Sequence, residues 1–347
     1  MRRINYSPLL ILFVLFFSIA VSCTQPVQYV YQEQVTDEYL SGYPIGDAGS
    51  YLMEMQQSVK RISNTTYYRT HVFDPEDRVR PQDIQEQQQL EQLTREVIED
   101  RTTSSGSAIV IYNRNNRIGL LTTNHTVTTP DTIYEYADET ETFLESVTYK
   151  TDQLMFVMGM TALGELELLA SDPVADLAVL GTRVYPDELD GSVSDHFPLF
   201  PYPLGNADEL KPGVFLYVLG YPRGYPMVTS GIVGATEYGR RNTFITDALF
   251  NPGISGGAIV AIRGGIPSFE WMGMARSSSA TGEWLIVPSE DTPVSHHIRW
   301  PYDDQLYLER KNRIDYGITH AISAQQIKEF LETQSSRLSE RGYRIRF

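Results

Sequence analysis

The chain is 347 residues long, which allows one large domain or two ordinary ones with ample core. A formal net charge of −16 argues against nucleic acid as a partner and against charge-driven attachment to anionic lipid. There is a single cysteine, so no intrachain disulfide can form.

Arg2 and Arg3 precede a nearly unbroken apolar stretch from Leu9 to Val21, shorter than the roughly 20 residues a spanning helix needs. It ends in Ala20-Val21-Ser22-Cys23, which resembles the lipobox of bacterial lipoproteins. The expectation is a lipoprotein signal peptide over residues 1–22, lipidation at Cys23, and a place in the bacterial cell envelope with the membrane held through the N-terminal lipid. Residues 23–50 are polar without a sustained period and read as a flexible tether.

Ser58 to Tyr68 alternates and is rich in β-branched and aromatic residues, the pattern of a strand. From Pro81 to about Asp100 the composition turns to Gln and Glu, with Leu90, Leu93, Val97 and Ile98 at helical spacing, so an inserted amphipathic helix is expected there. Ala108–Tyr112 and Ile118–Thr122 are apolar runs joined by Asn113-Arg114-Asn115-Asn116, a hairpin signal. The second run leads straight into Asn124-His125. Thr128 to Glu145 is acidic and turn-rich, and reads as a surface insertion. Strands are expected near Leu154–Gly159, Glu165–Ala170, Gly213–Leu219 and Thr229–Ala235, and within Asp172–Leu180 a turn feeds another apolar strand, all spaced as in an antiparallel sandwich or barrel.

The most informative stretch is Thr246 to Val260. Asn251-Pro252-Gly253 and Gly256-Gly257 bracket Ser255 just before the apolar run Ala258–Ile262. Such a turn can present one hydroxyl while aiming consecutive backbone N–H groups at one point, which is what acyl transfer needs. Met272 to Arg276 is a further strand. Glu283 to Asn312 has no clear period and carries His296-His297, whose adjacent side chains would point to opposite faces of a strand; no metal site is expected. Ser323-x-x-Gln326 is a capping box that opens a closing helix with Ile327, Phe330 and Leu331 on its apolar face.

A histidine after a strand, an aspartate before a strand and a serine in a glycine turn form a candidate nucleophilic set. On these residues the chain resembles a trypsin-like serine protease of the HtrA (Deg) family. Leu121-Thr122-Thr123-Asn124-His125-Thr126-Val127 is similar to that family's histidine segment, and Ser171–Leu180 to its aspartate segment. Thr229–Val233, Thr246-Asp247-Ala248 and Asn251–Gly257 resemble its run-up to the nucleophile and the nucleophile loop. Leu204–Gly213, Leu219-Gly220-Tyr221-Pro222 and Tyr316–Ile322 also look like family sequence.

The resemblance implies an all-β fold of two six-stranded antiparallel barrels, with an inserted helix and a C-terminal helix. The protease domain would span 51–331, with insertions at about 73–104, 128–150 and 280–313; residues 332–347 would be the end of the helix and a basic tail. It further implies His125 as general base, Asp176 as its orienting acid and Ser255 as nucleophile, with an oxyanion hole from the N–H groups of Gly253 and Ser255. Leu249, six residues before Ser255, would floor the substrate pocket beside Phe250, with Met274, Ala275 and Arg276 on the opposite wall. No cofactor is implied, the partners are protein or peptide substrates, a homo-oligomer is compatible, and no PDZ module is expected.

One departure stands out: Ile254 occupies a position where the family has asparagine and relatives have aspartate, so no side-chain hydrogen bond can brace the oxyanion loop. The functional expectation is an envelope serine endopeptidase working through an acyl-enzyme. The alternative is a catalytically weak or inactive protease fold used as a binding or scaffold module. A lipase or esterase fits less well, because in that fold the serine precedes Asp and His.

Overall fold

Val59–Phe73 (β1) alternates buried and half-buried side chains along its length, as the β-branched and aromatic pattern of its sequence requires. It follows a helix, Gly49–Gln57 (α1), and pairs on both edges, with Thr94–Arg114 (β2) and Leu144–Val157 (β5). The computed structural model describes residues 37–137, 140–236, 242–288 and 306–345, and within these the chain from Asp37 onward forms one unit. The expected Cys23 and the signal segment lie outside the described residues, as do His296 and His297.

Between β1 and β2 the expected long helix is cut short. The helix Gln87–Leu93 (α2) ends where the Thr94 hydroxyl donates to the Leu90 carbonyl at 2.6 Å. Val97 and Ile98, read as helical, instead pair with His71 and Thr70 in β2 and stand half-exposed. Their spacing matched a helix, but no core lies behind them to make the helix amphipathic in fact.

The hairpin that follows is as expected. Asn115 and Asn116 take φ of +54° and +57°, the left-handed values a two-residue turn demands, and connect β2 to Arg117–Thr122 (β3). A single helical turn, Asn124–Val127 (α3), comes next. Thr132–Tyr136 (β4) then pairs with β5, so part of the supposed surface insertion is a strand. Glu167–Asp172 (β6) and Leu177–Arg183 (β7) complete a seven-stranded sheet in the order β4-β5-β1-β2-β3-β7-β6.

The second half is a closed barrel of six strands: Phe215–Gly220 (β8), Met227–Ala235 (β9), Thr243–Thr246 (β10), Ala258–Ile262 (β11), Phe269–Pro288 (β12) and Leu306–Ser323 (β13). The all-β, two-barrel layout is therefore the one formed, with the first barrel represented by a curved sheet of seven strands. One apolar cluster joins the halves, running through Ile109, Leu121 and Leu177 of the first and Leu219, Val260 and Met274 of the second.

Three boundaries differ from expectation. The tether stops short: Tyr39 is buried, bridges to Arg263 and stacks its ring 4.2 Å from that guanidinium, while Leu40 donates to the Ile262 carbonyl. The region read as aperiodic is a two-stranded ribbon in its described parts, β12 and β13 pairing from Ala280↔Ile314 out to Pro288↔Leu306.

The basic tail is not free. After Ala324–Thr333 (α4), opened by the Ser323 hydroxyl accepting from Gln326 N–H, a further helix Ser335–Glu340 (α5) leads to Tyr343. Tyr343 is buried edge-on against Tyr112, and Tyr112 donates to the Gly342 carbonyl.

Candidate active site

β3 delivers the chain to α3, whose first turn is tied to the loop before β7. Asn124 N–H donates to the Asp176 carbonyl at 3.1 Å, and His125 N–H donates to Asp176 Oδ1 at 2.9 Å. Thr123 and Thr126 share a hydroxyl hydrogen bond of 2.8 Å that closes the turn. On the other side, Asp172 Oδ1 accepts from the N–H groups of Val174 and Ala175, folding the turn that carries Asp176. Asp176 takes φ of +59°, a conformation aspartate tolerates better than most residues.

The side chains meet accordingly. His125 Nδ1 lies 2.9 Å from Asp176 Oδ2 and 3.1 Å from Oδ1. Asp176 is 7% exposed at its side chain and His125 47%. Burial pushes the Asp176 carboxyl up, but hydrogen bonds and charge from the His125 ring, the His125 N–H and the Arg276 guanidinium outweigh it, and the net shift is downward. An ionised carboxylate only accepts, so Nδ1 carries the ring proton.

Ser255 sits in the turn before β11, wedged between the two halves. Its carbonyl accepts from Ser107 N–H of β2 at 2.7 Å. Gly256 N–H donates to the Ala275 carbonyl, and Ala275 N–H to the Gly257 carbonyl, fixing the turn to β12. Glycine is obligatory at 256: with φ of +87°, an added Cβ would lie 1.9 Å from the Ser107 carbonyl oxygen. The Ser255 hydroxyl donates to the Arg276 carbonyl at 2.8 Å rather than to the imidazole. Arg276 reaches the other end of the set as well, its Nε lying 2.9 Å from Asp176 Oδ2. One residue of β12 thus touches both the serine and the aspartate.

The loop ahead of Ser255 is set by its neighbours. Arg223 N–H donates to the Pro252 carbonyl at 2.7 Å, and in a trans peptide this turns the Gly253 N–H the opposite way. The Ser107 hydroxyl donates to the Gly253 carbonyl at 2.8 Å and accepts from Tyr221 N–H at 2.9 Å. Among the described residues, the N–H groups of Gly253 and Ser255 have no acceptor. Ile254 has no polar brace to offer, yet its side chain is 2% exposed within the second core, so burial anchors the loop where a hydrogen bond was absent.

The residues expected to form the substrate pocket are not brought together into one surface. Leu249 is 55% exposed, Phe250 is buried in the second core, and Met274 and Ala275 are fully buried. Arg276, placed by sequence on the pocket wall, spends its Nε on Asp176. Ser107 went unnoticed in the sequence: it is completely buried, and its contacts come from three distant segments that no local pattern announces.

Residues 106–266 match the family model described as the trypsin-like peptidase domain. The chain is 27% identical over 203 residues to "Serine protease Do-like HtrA" of Lactobacillus helveticus, covering 55% of this chain and 41% of that protein. It is 32% identical over 130 residues to "Probable periplasmic serine endoprotease DegP-like" of Marinomonas sp. (strain MWYL1), covering 36% and 25%. A solved serine endoprotease from Yersinia pestis aligns over 83% of this chain and 67% of its own, at 17% identity and a TM-score of 0.40. The chain spans 41% and 25% of the length of these two curated relatives.

Proposed function

We propose that the protein is a serine endopeptidase that cuts polypeptides through an acyl-enzyme, with His125, Asp176 and Ser255 as its triad. The observation that carries this reading is that an ionised Asp176 lies on His125 Nδ1 while Ser255 stands in a turn whose two N–H groups, at Gly253 and Ser255, have no acceptor among the described residues.

The chemistry follows from those groups. Rotation about χ1 takes the Ser255 hydroxyl from the Arg276 carbonyl to His125 Nε2, which removes its proton as Oγ attacks the substrate carbonyl. The oxyanion that forms is received by the N–H groups of Gly253 and Ser255, already oriented before substrate arrives. Collapse passes the proton from His125 to the leaving amine, and water, activated by the same ring, releases the acyl group. Asp176 keeps the ring in the tautomer that both steps need.

By analogy with relatives named as periplasmic, and with Cys23 as lipid attachment point, the working location is the cell envelope. The alternative, a silent binding module, draws on one observation: the resting hydroxyl is bonded to Arg276 and not to His125. A fluorophosphonate probe separates the two. The wild type is expected to be labelled at Ser255 and to degrade unfolded casein, and Ser255→Ala to do neither, with a loss on the order of 10⁶ in rate. An unlabelled wild type, or casein cleaved equally by the variant, defeats the reading.

A further inference from the structure

β12 changes character as it leaves the barrel. On one edge β11 accompanies it only as far as Met274, and Ala275 closes that contact by its bonds to Gly256 and Gly257. From Ser277 to Pro288, among the described residues, its ladder partner is β13 alone. A strand edge without a partner presents a row of backbone donors and acceptors to any extended chain. A lone two-stranded ribbon is also marginally stable in water.

The ribbon has two unlike faces. Cross-strand partners in an antiparallel pair point to the same side, and so do residues two apart. Trp284, Ile286 and Pro288 therefore share a face with Leu308 and Leu306, the partners of Ile286 and Pro288. Trp284, Ile286, Leu308 and Leu306 are 67, 69, 71 and 54% exposed. The opposite face is mixed: Glu283, Glu309 and Lys311, the last two joined by an ion pair of 3.2 Å, alternate there with Leu285, Val287 and Tyr307, whereas the Trp284 face carries the four most exposed aliphatic and aromatic side chains of the ribbon.

We propose that the apolar face of this ribbon and the open β12 edge beside it are a docking rail for an extended, apolar segment of the polypeptide being cut. This rests on the endopeptidase reading of Ser255. Continuity carries it: the Arg276 carbonyl that holds the Ser255 hydroxyl belongs to the same strand as Trp284, eight residues on. At roughly 3.3 Å per residue that distance is about 26 Å, which an extended substrate also covers in about eight residues. A chain bound along the strand thus has one part on the rail while another lies at the nucleophile, with main-chain pairing along the edge and apolar side chains on the face. A second copy of the protein is a poorer occupant. The four exposed side chains offer roughly 500 Å², against the roughly 800 Å² per partner of a stable interface.

The consequence is a preference for long unfolded chains over short peptides. The variant Trp284→Ser/Ile286→Ser/Leu308→Ser alters only exposed side chains, and Ile286→Ser alone serves as a milder version. Binding is measured in a Ser255→Ala background by fluorescence anisotropy of labelled casein. It is measured as well on two 18-residue peptides around one casein cut site, with apolar or with Gly-Ser-Asp flanks eight to ten residues from the cut. Turnover is measured on a four-residue anilide from the same site.

The rail predicts at least about tenfold weaker binding of casein and of the apolar-flanked peptide in the triple variant, little binding of the polar-flanked peptide by either protein, and unchanged turnover of the anilide. Unchanged casein affinity overturns it. So does a change confined to sedimentation velocity, which would assign the face to a second copy. If no substrate is turned over by the wild type while the triple variant still loses casein affinity, the endopeptidase reading fails and the rail stands.

Discussion

Replacing Arg276 by glutamine removes a positive charge from beside Asp176 in the proposed triad and leaves the backbone carbonyl at position 276, and hence the Ser255 contact, in place. The Nε–Oδ2 and Oδ2–Nδ1 contacts are 2.9 Å each. At about 6 Å and an effective dielectric of about 20, guanidinium and imidazolium repel by about 2.8 kcal/mol. Because the His125 ring is half-exposed, solvent screening brings this to about 1 kcal/mol, a factor of about five. The sign is fixed by geometry: the imidazolium that forms in the transition state of the proposed reaction is repelled less without Arg276. kcat/KM on a short peptide at neutral pH should therefore rise by up to about fivefold in the glutamine variant. Arg276→Lys, which keeps the charge, should stay near the wild type. A kcat/KM that stays put or falls in the glutamine variant would refute the coupling.

Ser107→Ala removes a hydroxyl that both accepts from Tyr221 and donates to Gly253, leaving two half-buried partners unpaired; a loss of about 1–3 kcal/mol in denaturant unfolding is expected. kcat should fall while KM holds, because the Gly253–Ile254 peptide that the hydroxyl holds adjoins the Gly253 N–H. Lys60, buried beside the Phe197 ring, is lowered to about 8 by desolvation. The unfolded chain binds that proton more tightly, so stability rises with pH from about 8 and levels off near the ordinary lysine value of about 10.4. Lys60→Met should abolish that rise and stabilise the protein at pH 7 by roughly 1–3 kcal/mol in chemical denaturation, given partial screening; a variant less stable at pH 7 would sink the assignment. Cys23→Ser should release the protein from membranes or block processing, and persistent membrane attachment after signal removal would point to the protein body instead.

What could be read in the sequence was the chemistry that local backbone demands. Asn115 and Asn116 announce their hairpin, and the glycines around Ser255 announce a turn where side chains have no room. His125 and Asp176 were legible because each adjoins an apolar strand that holds it still. What was not legible depends on partners far away in the chain. The Arg276 guanidinium is committed to an aspartate one hundred residues earlier. The ribbon gave no period because apolar residues stand on both its sides, Leu285 and Tyr307 opposite Trp284 and Ile286, so neither a period of two nor one of 3.6 survives. Val97 and Ile98 failed in the other direction: a helical spacing existed, but β1 offered them a ladder. Ile254 was read as a missing hydrogen bond, when its apolar character was itself the anchor.

The docked tail bears on when the molecule becomes whole. His125 and Asp176 belong to the first half and Ser255 to the second, and α4 packs its Ile327, Phe330 and Leu331 into the cluster containing Trp271 and Ile322. Tyr343 then returns to the first half, with Arg117 donating to the Arg341 carbonyl and Arg341 donating to the Leu168 carbonyl and pairing with Glu167. The segment is a strap sewn from one half to the other. A chain emerging from the ribosome N-terminus first carries His125, Asp176 and Ser255, the proposed triad, well before it carries the strap. Until that stitch is made the halves are held by the Ser107 contacts, the Arg276–Asp176 ion pair and the shared apolar cluster without it, so a nascent chain has its proposed cutting parts before it has the whole frame that aligns them.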